Sequence, residues 1–269
     1  MSISENIKIC KENQTILAQN SYEVSGRQVA LPNSPAMHQK VMVLDPRFVK
    51  ASLDSEFDYN AMGIISVANE DSFASPSQLV LNFANAYHPG GGYLQGSVSQ
   101  EECLCRQSTL YASLTAPQAA RMYEANKAES SLFNTDYMLV SPCVDVFRSA
   151  DLQLLKQPLT TAVITAAAPD LRSAGGQGVT QQQVDDAMLD KIRKLLSCAA
   201  ALGYRYITLG AWGCGVFCHD AARVSGYFRT VLIEEGYRFL FDGITFAVLD
   251  KSTDQYNFRS FAETFFDCV

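Results

Sequence analysis

Residues 79–92 read LVLNFANAYHPGGG. Leu79 to Ala84 form an almost continuous apolar run broken only by Asn82, and such a run predicts a strand buried on both faces. It leads directly into His88-Pro89 and three successive glycines. A residue without Cβ reaches positive φ and lets the chain pass close to another group. A glycine loop that leads on to a helix also turns unpaired N–H groups toward an anion. In open α/β sheets, ligands bind in the crevice at the C-terminal ends of the strands, which is where this loop falls.

A second loop repeats the arrangement. Tyr206 to Leu209 reads as a strand and is followed by Gly210-Ala211-Trp212-Gly213-Cys214-Gly215-Val216-Phe217. Two glycine loops at strand ends are suited to gripping a diphosphate from both sides. Neither loop is G-x-x-x-x-G-K-[ST], and neither is G-x-G-x-x-G with a downstream acid, so nucleotide hydrolysis by a P-loop and dinucleotide redox chemistry lose support.

Around these loops the pattern alternates between strands and helices. Ser4 to Asn20 predicts an N-terminal helix capped by Ser4, and Tyr22 to Leu31 a hairpin turning at Ser25-Gly26. Val41 to Leu44 and Ile64 to Ala68 are short β-branched runs closed by Asp45-Pro46 and Asn69-Glu70. Gln100 to Ser113 predicts one helix, Tyr137 to Ser141 a strand ending before Pro142, and Ala162 to Ala167 a further strand. Gly175, Gly176 and Gly178 predict a flexible loop. Thr180 then caps a helix over Gln181 to Leu202 that ends at Gly203, with Val184, Met188, Ile192, Leu195 and Leu196 on one stripe. Asp220 to Glu235 predicts a helix and Thr245 to Leu249 the last strand. The alternation argues for a sheet covered by helices on both faces. No repeat or linker marks a boundary, so residues 1–269 read as one domain, with 1–60 as an extension packed on it.

Composition narrows the function classes. With 269 residues, 48% of them hydrophobic, the chain buries a full core. A net charge of −7 provides no basic stripe for neutralising nucleic-acid phosphates, so direct DNA or RNA binding is not expected. No apolar run is long enough to span a bilayer and Met1 to Lys11 lacks a signal-peptide pattern, which predicts a cytoplasmic protein, or one delivered to another cell's cytosol. The eight cysteines are scattered and read as reduced, mostly buried thiols. There is no C-x-x-C pair; Cys214, Cys218 and His219 offer at most part of a zinc site, so no metal and no cofactor is expected. Cys214 also lacks the flanking pattern and paired histidine of a nucleophile. His88 and Trp212 read as loop-packing residues.

Gln100-Glu101-Glu102 follows Gly92 after a short spacer. Two acids at a helix start have an ordinary explanation, since the helix dipole stabilises each by about 0.3 to 1 kcal/mol. Beside a diphosphate cradle they also suit proton transfer, because crowding two carboxyls against phosphate oxygens raises the pKa of one.

The stretch Val80 to Tyr111, VLNFANAYHPGGGYLQGSVSQEECLCRQSTLY, resembles the signature of the bacterial-type poly(ADP-ribose) glycohydrolases: GGG, a short spacer, then QEE. The similarity extends to Ser66-Val67-Ala68-Asn69-Glu70, to Ser141-Pro142-Cys143-Val144-Asp145-Val146-Phe147-Arg148, to Ala166-Ala167-Ala168-Pro169 and to Leu209 to Phe217. It covers almost the whole chain, N-terminal helix and hairpin included. After Phe217 this chain has Cys218-His219-Asp220, where the family commonly has small residues and an Asp.

The resemblance implies an α/β macrodomain: a mixed central sheet flanked by helices on both faces, with an N-terminal helical extension and ADP-ribose across the strand ends. It implies an ADP-ribosyl glycohydrolase acting on a poly(ADP-ribose) chain or on ADP-ribosylated proteins. Glu102 falls on the family's catalytic acid, Glu101 on the residue that orients substrate hydroxyls, and Asn85 on an asparagine that holds the distal ribose. Gln100 joins the substrate-binding set, and the backbone of Gly90, Gly91, Gly92, Gly213, Cys214, Gly215, Val216 and Phe217 is expected on the diphosphate, with the Phe217 ring on the distal ribose. Two alternatives stay open: removal of single ADP-ribose units from a side chain such as arginine, and a non-catalytic reader of ADP-ribose. An intact QEE argues against the reader, since a carboxylate at the anomeric carbon would only repel the phosphates of a bound ligand.

Overall fold

The structure, a computed structural model, describes residues 2–74, 77–176 and 178–268. In chain order the elements are α1 (Ile3–Gln19), β1 (Ser21–Val24), β2 (Arg27–Ala30), α2 (Pro35–His38), β3 (Met42–Leu44), α3 (Pro46–Leu53), β4 (Ile64–Ala68), β5 (Leu79–Phe83) and α4 (Gln100–Gln107). They continue with α5 (Leu110–Leu114), α6 (Ala120–Glu129), β6 (Met138–Arg148), β7 (Leu154–Ala166), α7 (Gln181–Ala201), β8 (Tyr206–Leu209), α8 (Ala221–Arg229), β9 (Gly243–Ala247) and α9 (Tyr256–Thr264).

Seven strands form one mixed sheet in the order β3-β6-β7-β5-β8-β9-β4. The pairs β7/β5, β5/β8, β8/β9 and β9/β4 are parallel, whereas β3/β6 and β6/β7 are antiparallel. β5 therefore lies inside the sheet with β8 beside it, and the two glycine loops emerge next to each other at the same edge.

Alternation along β5 divides the core. Leu79 and Leu81 pack with Val49, Met188, Ile192, Phe228 and Phe261 from α3, α7, α8 and α9. Val80 points the other way, into a cluster with Leu104, Leu110, Leu114, Met122 and Tyr123 from α4, α5 and α6. Helices thus cover both faces, and all three leucine and valine side chains are about 1% exposed. At about 25 cal/mol per Å² of apolar surface, each such side chain contributes roughly 1.5 to 3 kcal/mol.

Locally encoded elements follow the sequence closely. Thr180 and Gln183 form a reciprocal capping box at the start of α7, and its predicted apolar stripe is buried throughout. Ser25 and Gly26 both have positive φ in the β1/β2 turn, as a two-residue hairpin requires.

Other expectations are corrected. The N-terminal helix is capped by Ser2, not Ser4, because Glu5 at the third helical position closes a capping box with Ser2. The single helix over Gln100 to Ser113 is two helices: Ser108 is extended, and Thr109 exchanges hydrogen bonds with Asp145, its N–H donating to the Asp145 carbonyl and its Oγ1 accepting from the Asp145 N–H. β6 does not stop before Pro142 but continues to Arg148 through a register shift between Ser141 and Val144. Proline is tolerated there because the pairing is already interrupted and β3 reaches only Met138 to Val140. β7 starts at Leu154 rather than Ala162, and the last strand is Gly243–Ala247. Asp45-Pro46, which closes β3, also opens α3 as N-cap and N1; α2, α6 and α9 have no counterpart in the sequence reading.

A 3₁₀ segment covers Leu171–Gly176 where a glycine loop is expected, and Gln177 lies outside the described residues. All eight cysteines are unpaired, but only Cys10, Cys105 and Cys198 are buried, fewer than expected. No helix among the described residues is long and apolar enough to cross a membrane.

Candidate active site

The chain ends of β4, β5, β8 and β9 open into a cleft of about 350 Å³. Asn85, Gln100, Glu101, Glu102, Gly213, Gly215, Val216 and Phe217 line it, while Gly90, Gly91, Gly92 and Cys214 are not part of that lining.

Gln100 sets α4 against β5. Its Oε1 accepts the Phe83 N–H at 2.9 Å, and its Nε2 donates to the Leu81 carbonyl at 2.8 Å and to Ser72 Oγ at 3.1 Å. The amide thus mimics a neighbouring strand at the end of β5. Gln100 lines the cleft as expected of the substrate-binding set, and both ends of its amide are also engaged by the protein.

The two carboxyls that follow are buried, Glu101 at 2% exposure and Glu102 at 7%. Glu101 receives Asn82 Nδ2 at 3.1 Å, the Asn85 N–H at 2.8 Å and the backbone of Gly90. Burial outweighs those donors and pushes its pKa up to about 8. Glu102 Oε1 accepts the Gly92 N–H at 2.8 Å, and Glu102 Oε2 is buried with no hydrogen-bond partner.

The first glycine loop is therefore explained by the acids beneath it. Gly90 and Gly91 have φ of 69° and 54°. A Cβ on Gly90 would lie 2.7 Å from the Tyr111 ring, one on Gly91 would strike Glu102 Oε1, and one on Gly92 would strike Ser97 Oγ. Two of the three N–H groups are committed, Gly91 to the His88 carbonyl at 3.0 Å and Gly92 to Glu102, and the Gly90 backbone faces Glu101 and lowers its pKa. The loop expected to hold the diphosphate thus turns its backbone largely toward the two acids.

The second loop is different. Among the described residues the N–H groups of Gly213, Gly215, Val216 and Phe217 donate to no protein acceptor, whereas that of Cys214 bonds the Ala211 carbonyl. Gly213 has φ of 82°, and a Cβ on it would lie 2.7 Å from the His219 ring. His219 is itself buried, its Nε2 2.8 Å from the Pro169 carbonyl; burial lowers its pKa. Trp212 is buried and donates to the Ala166 carbonyl at 3.2 Å, so it packs the loop as expected. His88 is exposed instead of packed. Burial raises the Cys214 thiol to about 12, opposite to the lowered pKa of a reactive cysteine. Cys218, His219 and Asp220 stay out of the cleft lining, and Asp220 caps α8. Among the described residues no group of His, Cys, Asp and Glu is arranged to hold a metal ion.

Asn85 Oδ1 accepts the N–H groups of Tyr87 and His88, an Asx turn that starts the glycine loop. Its Nδ2 donates to no protein acceptor in the described residues. Two functional neighbours escape the sequence reading. Asn82, fully buried in β5, holds both Glu101 and Thr165 Oγ1; the signal was present, as the one polar residue interrupting an apolar strand. Arg172, which lines the cleft beside Phe217, had none.

A family model described as "Microbial-type PARG, catalytic domain" matches residues 10–149. No curated protein matches the chain. Among solved structures, poly(ADP-ribose) glycohydrolase from Thermomonospora curvata is similar at 31% identity and a TM-score of 0.89, over 97% of this chain and 100% of that one. The same enzyme bound to the inhibitor ADP-HPD gives 32% identity and a TM-score of 0.87, over 97% and 99%. Poly(ADP-ribose) glycohydrolase from Deinococcus radiodurans in complex with ADP-ribose gives 34% and 0.81, over 90% and 100%. With the family model and the whole-chain structural likeness in agreement, this chain belongs to the microbial-type poly(ADP-ribose) glycohydrolases and is an ADP-ribosyl glycosidic-bond hydrolase.

Proposed function

We propose that ADP-ribose lies across the cleft with its diphosphate on the second loop, and that Glu102 protonates the leaving oxygen of the scissile glycosidic bond. The observation that carries this reading is the Glu102 carboxyl, which belongs to a residue lining the cleft, is fixed through Oε1 by Gly92 and has a buried Oε2 with no protein partner. Leaving such an oxygen unpaired costs about 1 to 3 kcal/mol, which a substrate hydrogen bond would recover once a small rotation of the carboxyl turns Oε2 to the cleft. As an oxocarbenium-like ribose forms, Glu102 gives up its proton; as a carboxylate it then takes one from the water that captures the sugar. A diphosphate held nearby helps to offset the positive charge on the sugar.

Glu101 orients ribose hydroxyls, a role supported by the donors that fix its position. The free Nδ2 of Asn85 and the ring of Phe217 bracket the distal ribose. The amides of Gly213, Gly215, Val216 and Phe217 take the phosphates, a role supported by their donating to no protein acceptor among the described residues, whereas Cys214 donates to Ala211. Residues 1–60 belong to the same catalytic domain. Support comes from Asn13, which bonds both the Arg106 carbonyl and Arg148, and from Asn33 and His38, which meet on Asp145.

The test offers the purified protein poly(ADP-ribose) and proteins mono-ADP-ribosylated on serine, glutamate or arginine, with Glu102→Gln in parallel. Release of ADP-ribose by the parent, a loss of about 10²-fold or more in Glu102→Gln, and retained ADP-ribose binding are expected. A Glu102→Gln protein that turns over at the parent rate overturns the assignment.

A further inference from the structure

The cleft lining carries four acidic residues, Glu70, Asp71, Glu101 and Glu102, and one basic residue, Arg172. Any of these acids that is ionised opposes a diphosphate, and Arg172 is the one cationic side chain in the lining that can offset it. Arg172 follows Pro169-Asp170-Leu171, and its position is fixed from three directions. Its Nε lies 2.9 Å from Asp170 Oδ1 and 3.1 Å from Oδ2, and its Nη2 also donates to Oδ2. Its guanidinium carbon sits 5.5 Å from the centre of the Phe217 ring. The N–H of Leu171 donates to the Phe217 carbonyl at 3.1 Å, which ties the Arg172 turn to the second loop. Among the described residues, Arg172 Nη1 donates to no protein acceptor.

We propose that Arg172 is a diphosphate-binding residue, its fork held by Asp170 and its plane by Phe217 so that the Nη1 edge meets a phosphate seated on the amides of Gly213 to Phe217. This rests on the reading that the second loop holds the diphosphate. Asp170 and Arg172 are together neutral, so the contribution is a directed, charge-assisted hydrogen bond and not a long-range field. Lysine would keep the charge but lose both the planar fork and the stacking on the ring.

Binding of ADP-ribose, ADP and adenosine to the parent, Arg172→Gln and Arg172→Lys, by calorimetry and ligand-observed NMR, separates the roles. Arg172→Gln is expected to weaken ADP-ribose and ADP alike, by about tenfold, and to leave adenosine unchanged, with Arg172→Lys in between. If ADP-ribose weakens while ADP does not, Arg172 acts only by propping Phe217 against the distal ribose, and the proposal is wrong. An equal loss for all three ligands also overturns it, as general damage to the loop. A parent protein that binds none of them removes the functional reading itself, a result distinct from any effect of Arg172.

Discussion

The backbone N–H of Gly92 donates to Oε1 of Glu102 at 2.8 Å. With the Gly90 backbone also facing Glu101, the first glycine loop is a socket for two buried carboxyls, whereas in the second loop the N–H groups of Gly213, Gly215, Val216 and Phe217 donate to no acceptor among the described residues. The two loops therefore answer differently to mutation.

Gly91→Ala places a methyl group against the Glu102 carboxyl at a backbone φ of 54°. Displacing that carboxyl by even part of an ångström should lower kcat by about 10²-fold, with ADP-ribose affinity changed far less. Gly215, where an added Cβ meets no protein atom within 4 Å and φ is not in the left-handed region, is the comparison. Gly215→Ala should keep kcat near that of the parent, and any loss should fall on ADP-ribose affinity, since its N–H is the one proposed to meet the diphosphate. Equal losses in both variants would show that the glycines act through general loop stability.

Phe217→Ala keeps the loop amide and removes the ring. Turnover should fall by about tenfold while ADP-ribose affinity falls only a few-fold, because a ring that shapes the distal ribose matters most as the bond breaks. Steady-state kinetics beside calorimetric affinity decide this; matching losses would mean that the ring supplies uniform binding only.

Glu101 gives the fold a pH signature. Its pKa is raised from 4.5 to about 8 by burial, so between those values the unfolded chain releases this proton while the folded chain keeps it. Its contribution to stability is therefore full below pH 4.5 and is lost as pH rises through about 8. Urea denaturation at pH 5 and pH 8.5 should show the parent losing stability relative to Glu101→Gln, by on the order of a few kcal/mol. All other titrating groups are shared, so parallel behaviour of the two proteins would clear Glu101 of responsibility.

Gln100→Ala strips partners from the Phe83 N–H and the Leu81 carbonyl. It should cost about 2 kcal/mol or more in urea denaturation and lower turnover by letting the start of α4 shift. Gln100→Glu should not rescue it, since an acid keeps the acceptor for Phe83 but faces the Leu81 carbonyl with a second acceptor. Full rescue by Glu would refute the strand-mimic role.

Much of this protein is written locally. The buried run Leu79 to Phe83, the stripe and capping box of α7, and the Ser25-Gly26 turn depend on neighbours within a few residues, so periodicity and turn chemistry find them. The Gly90-Gly91-Gly92 and Gln100-Glu101-Glu102 signature likewise marks the catalytic region without coordinates. The break at Ser108 is different: it exists because Thr109 pairs with Asp145, which is distant in sequence. The passage of β6 through Pro142 depends in the same way on where its partner strands stop.

The division of free and committed amides between the two loops belongs to that second kind. By itself the sequence determined the fold class, the strand-end position of both loops and the adjacency of two acids to the first one. Which amides are free, that Gln100 is spent on β5, and that Arg172 lies against Phe217 were decided only by tertiary structure. The reason is physical: a hydrogen-bond donor's availability depends on every acceptor brought within about 3 Å of it, and in this chain those acceptors arrive from different strands and helices.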